Sequence, residues 1–283
     1  MKIGIGIPCW NRPEMLKQSL TSLSKNNLEN VDVHVFQEGE LCHIHGDKRT
    51  DLGSIGANKA IFDSIELPHK EWHQHEKHIG CGLQLLEINN FLSEWYDGFV
   101  FMEDDVTVSE HALVIIDKLL EQFGNDETIG MINPGMMLRC KPEEVHNNFD
   151  TVIIDEGRTS RICIEAMTPQ MWNKTLPNFQ EYLNLVSDVS GFDVGNYEIR
   201  NRVTSWVMSQ FSSMIEPSSD TAIIRSILLS GRKRMFLTVN RSTNIGDWGL
   251  NCNPEVLASL GDGHQPIYES EEELHIKEFR IKQ

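Results

Sequence analysis

Glu103, Asp104 and Asp105 stand directly behind the apolar run 98–102 in "GFVFMEDDV". That much like charge at the end of a strand raises at least one carboxyl pKa unless a cation sits among the three groups. A hard divalent ion answers the constraint, because one or two carboxylates hold it while phosphate oxygens complete its shell. A diphosphate on such an ion becomes a good leaving group, its developing charge stabilised by the metal. The position suits that chemistry, since ligands of a parallel sheet bind beyond the carboxyl ends of its strands. The plain alternative is a solvated turn opening a helix, with Asp105 or Ser109 as its cap.

Other residues could complete a reaction. Asp220 lies in "EPSSDTAIIRSILLSGRKRMF", near the expected start of a helix whose dipole keeps a carboxylate ionised. It is the first choice of general base on an acceptor hydroxyl, with Glu216 second, in a transfer that inverts configuration. Against this stands a role for Asp220 or Ser218 as a helix cap only. If configuration is retained instead, Asp220 need not be a base. Gln37 and Glu38 follow a second strand, where Glu38 could accept from a uracil-like N–H or be a solvated loop acid. Lys59 and Lys77 could neutralise phosphate. In "HKEWHQHEKH", His69 and His73 have i,i+4 helical spacing, and with His75 and His78 they raise a transition-metal alternative to a polar loop or helix face. Trp10, Trp172 and Trp206 are either stacking platforms or core residues.

The elements that must position these groups follow from periodicity. Short strands are expected over 3–8, 31–36, 98–102 and 129–132, and in "RMFLTV". Leu16, Leu20 and Leu23 recur at helical spacing behind Pro13, and Leu113, Ile116, Leu119 and Leu120 do so behind Ser109. Further helices are expected over 79–92, about 169–183 and 201–214, and from Asp220 to Gly231. The polar stretch 37–58 reads as an active-site loop. "DTVIIDEG" and "RICIEAMTP" read as strands added antiparallel. The alternation argues for an α/β fold with a mainly parallel sheet. One domain is expected over 1–283, with one lobe at 1–130, a second at 131–255, and an acidic C-terminal extension at 256–283 that could be a solvated helix face.

Bulk properties narrow the class. The 283 residues are 40% hydrophobic and 24% charged, as in folded soluble proteins. No stretch nears the roughly 20 apolar residues that cross a bilayer, and the N-terminus reads as a strand rather than a signal peptide. Six scattered cysteines with no C-x-x-C pair fit reduced thiols and a cytoplasmic location. The formal charge of -17 disfavours non-specific nucleic-acid binding.

Four segments carry a resemblance in their order: "IGIPCWNRPEMLKQSLTSL", "EKHIGCGLQLLEI", "GFVFMEDDVTVSEHAL" and "DTAIIRSILLSGRKRMFLTVNRSTNIGDWG". Together they resemble the nucleotide-sugar glycosyltransferases of the GT-A fold, nearest to the branch related to N-acetylglucosaminyltransferase I. The likeness covers roughly residues 1–125 and 216–250. It implies a Rossmann-like, mainly parallel sheet with helices on both faces and a smaller acceptor-side sheet. "EDD" matches the family's D-x-D motif, which implies Asp105 as the direct manganese ligand, with Glu103 and Asp104 in supporting, ribose- or water-contacting places. Pro8, Asn11 and Arg12 match the first nucleotide-holding unit, and His78 matches a helix-opening histidine. Asp220 matches the catalytic acid of an (E/D)-D-x-x segment, although Ser219 precedes it where the family has an acid. The late N-I-G motif is followed here by "LNCN" rather than a threonine-histidine pair, so no histidine metal ligand carries over. Asn244 and Gly246 would shape the site, and Asp247 and Trp248 would face the acceptor.

The resemblance implies a transferase that uses Mn²⁺ or Mg²⁺ and a nucleotide-diphosphate sugar. The rivals are a sugar-nucleotide hydrolase, a nucleotidyltransferase and a non-catalytic sugar-nucleotide-binding protein. A nucleotidyltransferase usually has a Gly-rich phosphate loop with a basic residue, which "GIPCWNRPEM" lacks. A carbohydrate hydroxyl is favoured as acceptor. A modified base in DNA would need a positive face built from Arg139, Lys141, Arg158, Arg161, Arg200 and Arg202.

Overall fold

The computed structural model describes residues 1–135, 138–155, 163–188, 201–206, 218–246 and 266–282. Its first half alternates as expected: β1 (Ile3–Cys9), α1 (Pro13–Leu23), β2 (Val31–Gln37), α2 (Leu52–Ser64), β3 (Lys70–Gln74), α3 (Cys81–Trp95), β4 (Gly98–Met102), β5 (Val106–Val108), α4 (Ala112–Phe123) and β6 (Ile129–Asn133). The second half holds β7 (Thr151–Asp155), β8 (Ile164–Met167), α5 (Pro169–Leu185), α6 (Ser219–Leu229), β9 (Lys233–Leu237), β10 (Ser242–Asn244) and β11 (Arg280–Ile281).

Nine strands form one sheet in the order β11-β7-β9-β6-β8-β4-β1-β2-β3, and β5 and β10 form a separate two-stranded sheet. Strands β4, β1, β2 and β3 run parallel to one another. Strand β8 runs antiparallel between β4 and β6, and β7 runs antiparallel to β9, as expected of these two segments. The two lobes expected on either side of about residue 130 therefore share one continuous sheet. This mixed α/β arrangement, with flanking helices and a small second sheet, matches a GT-A-like architecture.

The side chains at the first strand explain how helices cover both faces. Alternation points Gly4 and Gly6 one way and Ile3, Ile5 and Ile7 the other. A Cβ on Gly4 would lie 2.4 Å from the Tyr96 ring, and one on Gly6 would lie 2.3 Å from Ile88 Cγ2. Helix α3 thus lies on the glycine face of β1. Gly98 pairs with Ile3 and shares its face, and a Cβ there would meet Leu120 of α4 at 2.8 Å. Helix α4 covers the opposite side.

Four local expectations are overturned. The stretch 37–58 is not all loop: Asp51 caps α2 by accepting from Ser54 N at 2.8 Å, so the connection ends at Asp51 and residues 52–58 are helical. "KEWHQ" is edge strand β3, because its backbone pairs with β2, so His69 and His73 do not share a helix face. Ser109 does not cap α4, whose N-cap position is His111 and carries no side-chain cap bond. The acidic tail is not a solvated helix face. Glu273 is fully buried in a 3-10 turn over Glu271–His275, and its carboxylate accepts from Arg241 Nε at 2.7 Å.

The close approach of α3 to β1 yields a test. Gly6→Ala forces Ile88 and Leu92 to move, an overpacking that costs ~1–3 kcal/mol. Denaturant titration should show that loss; an unchanged midpoint would mean the helix shifts without strain.

Candidate functional site

Strands β1 and β4 are adjacent and parallel, with Gly6 opposite Phe101, so the chain leaves both at the same end of the sheet. That register brings Arg12, at the N-cap of α1, to the acids behind β4. Arg12 Nη1 donates to Asp105 Oδ2 at 2.6 Å, and Nη2 makes a very short ion pair with Asp104 Oδ1. The Arg12 carbonyl meanwhile accepts from Leu16 N at 3.0 Å, so one residue starts the helix and holds both aspartates.

The small second sheet closes the other side. Because β10 pairs with β5, placing Asn244 opposite Val106, Ile245 N donates to the Asp105 carbonyl at 2.7 Å. Asn244 Nδ2 donates to Asp105 Oδ1 at 3.1 Å, and Gly246 N donates to Asn244 Oδ1 at 2.7 Å. A Cβ on Gly246 would meet Asp105 Oδ2, so a side chain there would push the Asp105 carboxylate aside. Glu103 N donates to the Cys163 carbonyl at 2.8 Å, which seats the turn against β8.

The charges are concentrated and poorly neutralised. Burial pulls against the Arg12 guanidinium, but Asp104, Asp105 and Glu103 together hold it firmly charged. Burial pushes Asp104 up to about 6; Arg12 pulls it back, and the charge of Asp105 adds to the rise. Burial, then Asp105 and Asp220, raise Glu103 well above the usual carboxylate range. Asp104 Oδ2 is buried with no hydrogen-bond partner. Glu103, Asp104 and Asp105 thus share the charge of the Arg12 guanidinium.

Burial raises the thiols of Cys81 and Cys163; the charge of Asp220 adds to both, after Glu103 at Cys163, so its field reaches the same cluster. Asp220 lies in the first turn of α6, whose N-cap Ser218 accepts from Thr221 N at 3.2 Å. Ser219 Oγ donates to Cys81 Sγ at 3.4 Å, so the N-termini of α6 and α3 meet. The cap role therefore falls to Ser218.

Glu38 sits behind this junction rather than on an open loop. Its two carboxylate oxygens accept from Ile79 N at 2.7 Å and Gly80 N at 2.8 Å, just ahead of α3. Gly80 has φ 87°, a left-handed conformation that glycine adopts without strain. His78 Nδ1 lies 3.4 Å from Glu38 Oε1, and its ring meets Trp10 edge-on at 5.4 Å. Burial pushes Glu38 up to about 7 against the pull of both amides. Gln37 and Asn58 brace the neighbouring loop, each donating to the Trp10 carbonyl at 2.8 Å. Asn11 is exposed and Pro8 half-buried at the end of β1.

Several expected residues go elsewhere. Lys59 pairs with Asp63 at 2.6 Å within α2, and His75 faces Glu87 at 3.5 Å. Trp172 is a core residue, fully buried, with Nε1 donating to Asn90 Oδ1 at 2.8 Å. Arg139 lies over the Phe236 ring and Arg202 pairs with Asp188. Glu216, Asp247, Trp248, Arg158, Arg161 and Arg200 lie outside the described residues. The sequence held no signal for Cys163 or Cys81, which reach the site only through β8 pairing and helix convergence.

No family model and no curated protein matches this sequence. Among solved structures, it resembles a mannosyltransferase, PcManGT from Pyrobaculum calidifontis, in complex with GDP-Man and Mn²⁺. That likeness is at 12% identity and TM-score 0.42, over 74% of this chain and 53% of that one. It also resembles S. aureus TarS 1-349 at 12% identity and TM-score 0.49, over 87% of this chain and 61% of that one. The same protein in complex with UDP-GlcNAc gives 10% identity and TM-score 0.46, over 81% and 72%. This chain spans little more than half the length of the first two. At such identities and TM-scores the likeness says nothing of a shared substrate or mechanism.

The buried Glu38 has a pH signature. Its carboxyl titrates at about 7 in the fold against an ordinary 4.5, so the folded state binds the extra proton in that window. The stability this group contributes is full below pH 4.5 and is lost as pH rises through about 7. Glu38→Gln lowers stability in mild acid, where a bond to an amide is lost, and flattens the decline above it. Parallel slopes of melting temperature against pH in the two proteins would refute this assignment.

Proposed function

We propose that the chain transfers a sugar from a nucleotide-diphosphate sugar to an acceptor hydroxyl, with a divalent cation and with inversion of configuration. The observation that carries this reading is the Arg12 bridge. It gathers Asp104 and Asp105 at the end of β4, beside Glu103, which also feels the charge of Asp220. The donor set fits a hard divalent ion: hard oxygen ligands, an excess of negative charge and an orphaned buried oxygen on Asp104. Asp105 would hold the ion, with Glu103 and Asp104 in support. Mn²⁺ or Mg²⁺ there supplies counter-charge for the departing diphosphate.

The chain's own residues do the rest. Arg12 fixes the orientation of both aspartates and offers a guanidinium to the phosphates. Pro8, Asn11 and His78 border the nucleotide, and Glu38 sets the start of α3 beside it. Asp220 takes the proton of the acceptor hydroxyl as that oxygen bonds to the anomeric carbon and the bond to the diphosphate oxygen breaks. A carbohydrate hydroxyl is the favoured acceptor, because Arg139 and Arg202 are engaged by Phe236 and Asp188 rather than aligned as a free cationic face. Among the described residues, no helix is long and apolar enough to cross a membrane.

The test is a screen of nucleotide-diphosphate sugars with Mn²⁺ or Mg²⁺, reading nucleotide release with and without acceptors. Asp105→Asn should abolish metal-dependent donor binding. Asp220→Asn should bind donor normally and lose at least about 100-fold in turnover, the scale of general-base catalysis. Absence of metal-dependent binding to any sugar nucleotide would sink the reading, and normal transfer by Asp220→Asn would remove its base.

A further inference from the structure

The edge of the sheet farthest from the acids of β4 on the β1 side carries a second group of metal-ligating atoms. Strand β3 is the edge strand and β2 its neighbour, with β1 between them and β4, so the second group lies ~10–14 Å from β4 across the sheet. His34 on β2 pairs in register with Glu71 on β3, and Phe36 pairs with His73. Alternation therefore puts His34, Glu71 and His73 on one face.

Their ligand atoms converge. His34 Nδ1 lies 3.0 Å from His73 Nε2, and Glu71 Oε2 lies 3.5 Å from the first and 3.8 Å from the second. Zinc bonds nitrogen and carboxylate oxygen at about 2.0–2.2 Å, so tetrahedral ligands stand ~3.3–3.6 Å from one another. The observed triangle brackets that spacing. We propose that His34 Nδ1, His73 Nε2 and a Glu71 oxygen form a site for a tetrahedral transition-metal ion of the zinc class, separate from the carboxylates of β4.

The surroundings prepare the ligands. Tyr96 Oη donates to Asp32 Oδ2 at 2.9 Å and lies 2.5 Å from His34 Nε2. With its own proton on Asp32, the phenol accepts from His34, so Nε2 carries the ring hydrogen and Nδ1 presents its lone pair to the ion. A hydrogen-bonded partner on the far nitrogen is the usual support of a metal-bound histidine. Lys2 Nζ, 2.8 Å from Asp32 Oδ2, keeps that carboxylate as the outer partner. Phe36 stacks on His73 at 4.3 Å and Phe91 meets His34 at 4.9 Å, closing the inner side to water. Burial favours the neutral form of both imidazoles, the form that binds metal. Glu71 is exposed, so ions enter from solvent and a water can fill the fourth position.

Two imidazoles and one carboxylate suit zinc, copper or nickel better than Mg²⁺ or Mn²⁺. The ion would staple edge strand β3 to β2, immediately ahead of the segment that runs to His78 and the start of α3.

The experiment strips the full chain with chelator and titrates it with Zn²⁺ by calorimetry, with Co²⁺ absorption as a second readout. One tight Zn²⁺ site that needs no nucleotide and a tetrahedral Co²⁺ spectrum are expected, both kept in Asp105→Asn and in His75→Asn. Glu71→Gln, a change at an exposed side chain, should weaken binding at least about 10-fold, and Tyr96→Phe about 10-fold through the lost support. His73→Asn should abolish it. Unaltered Zn²⁺ affinity in Glu71→Gln and His73→Asn, loss of binding in Asp105→Asn, or no Zn²⁺ binding by the wild type would each overturn the site.

Discussion

Arg12 is the interaction on which the candidate site depends. Two aspartates and a glutamate at one strand end repel one another, and burial makes that repulsion stronger because little water screens it. A guanidinium meets two carboxylates at once with its planar fork, where an ammonium would act as a point charge. Arg12 can do this because its backbone is already fixed as the N-cap of α1, its carbonyl accepting from Leu16 N. The turn that ends β1 and the turn that ends β4 are thereby locked into one unit.

The same solution, arginine against buried acid, recurs where no catalytic role is proposed. Arg234 donates to Glu165 at 2.7 Å with both side chains buried, and Asn133 also donates to Glu165, linking β9, β6 and β8. Arg241 and Glu273 make a second buried pair that pins the tail over Phe149. Buried pairs of this kind add little net stability, but removing one partner strands a charge and is costly. They tie late segments of the chain to one register. The β8–β4 pairing that seats Glu103 against Cys163 depends on that register, and so does the β10–β5 pairing that brings Asn244 to Asp105.

Much of the fold was legible. Short apolar runs marked β1, β4 and β6, which are buried on both faces, alternation marked β2, and apolar residues at helical spacing marked α1 and α4, because each element repeats its buried positions at its own geometric period. The same logic failed at β3. "KEWHQ" has few apolar side chains, since an edge strand is held by backbone pairing to one neighbour rather than by burial on both faces. It failed at α2 because that helix has no clear apolar stripe. It also failed at the tail, where an acid-rich composition hid one glutamate with a partner 32 residues upstream.

Of the site, the sequence by itself determined the stock of groups: three acids behind a strand, an arginine behind the first strand, an acid at a helix start. These follow from residue type and local period. Only the tertiary structure decided which groups face each other. Local sequence carries no information on strand order, and strand order sets Arg12 against Asp104 and Asp105, Glu38 against the amides of Ile79 and Gly80, and His34 against Glu71 and His73. Each meeting joins residues tens of positions apart, and only the packed sheet makes them neighbours.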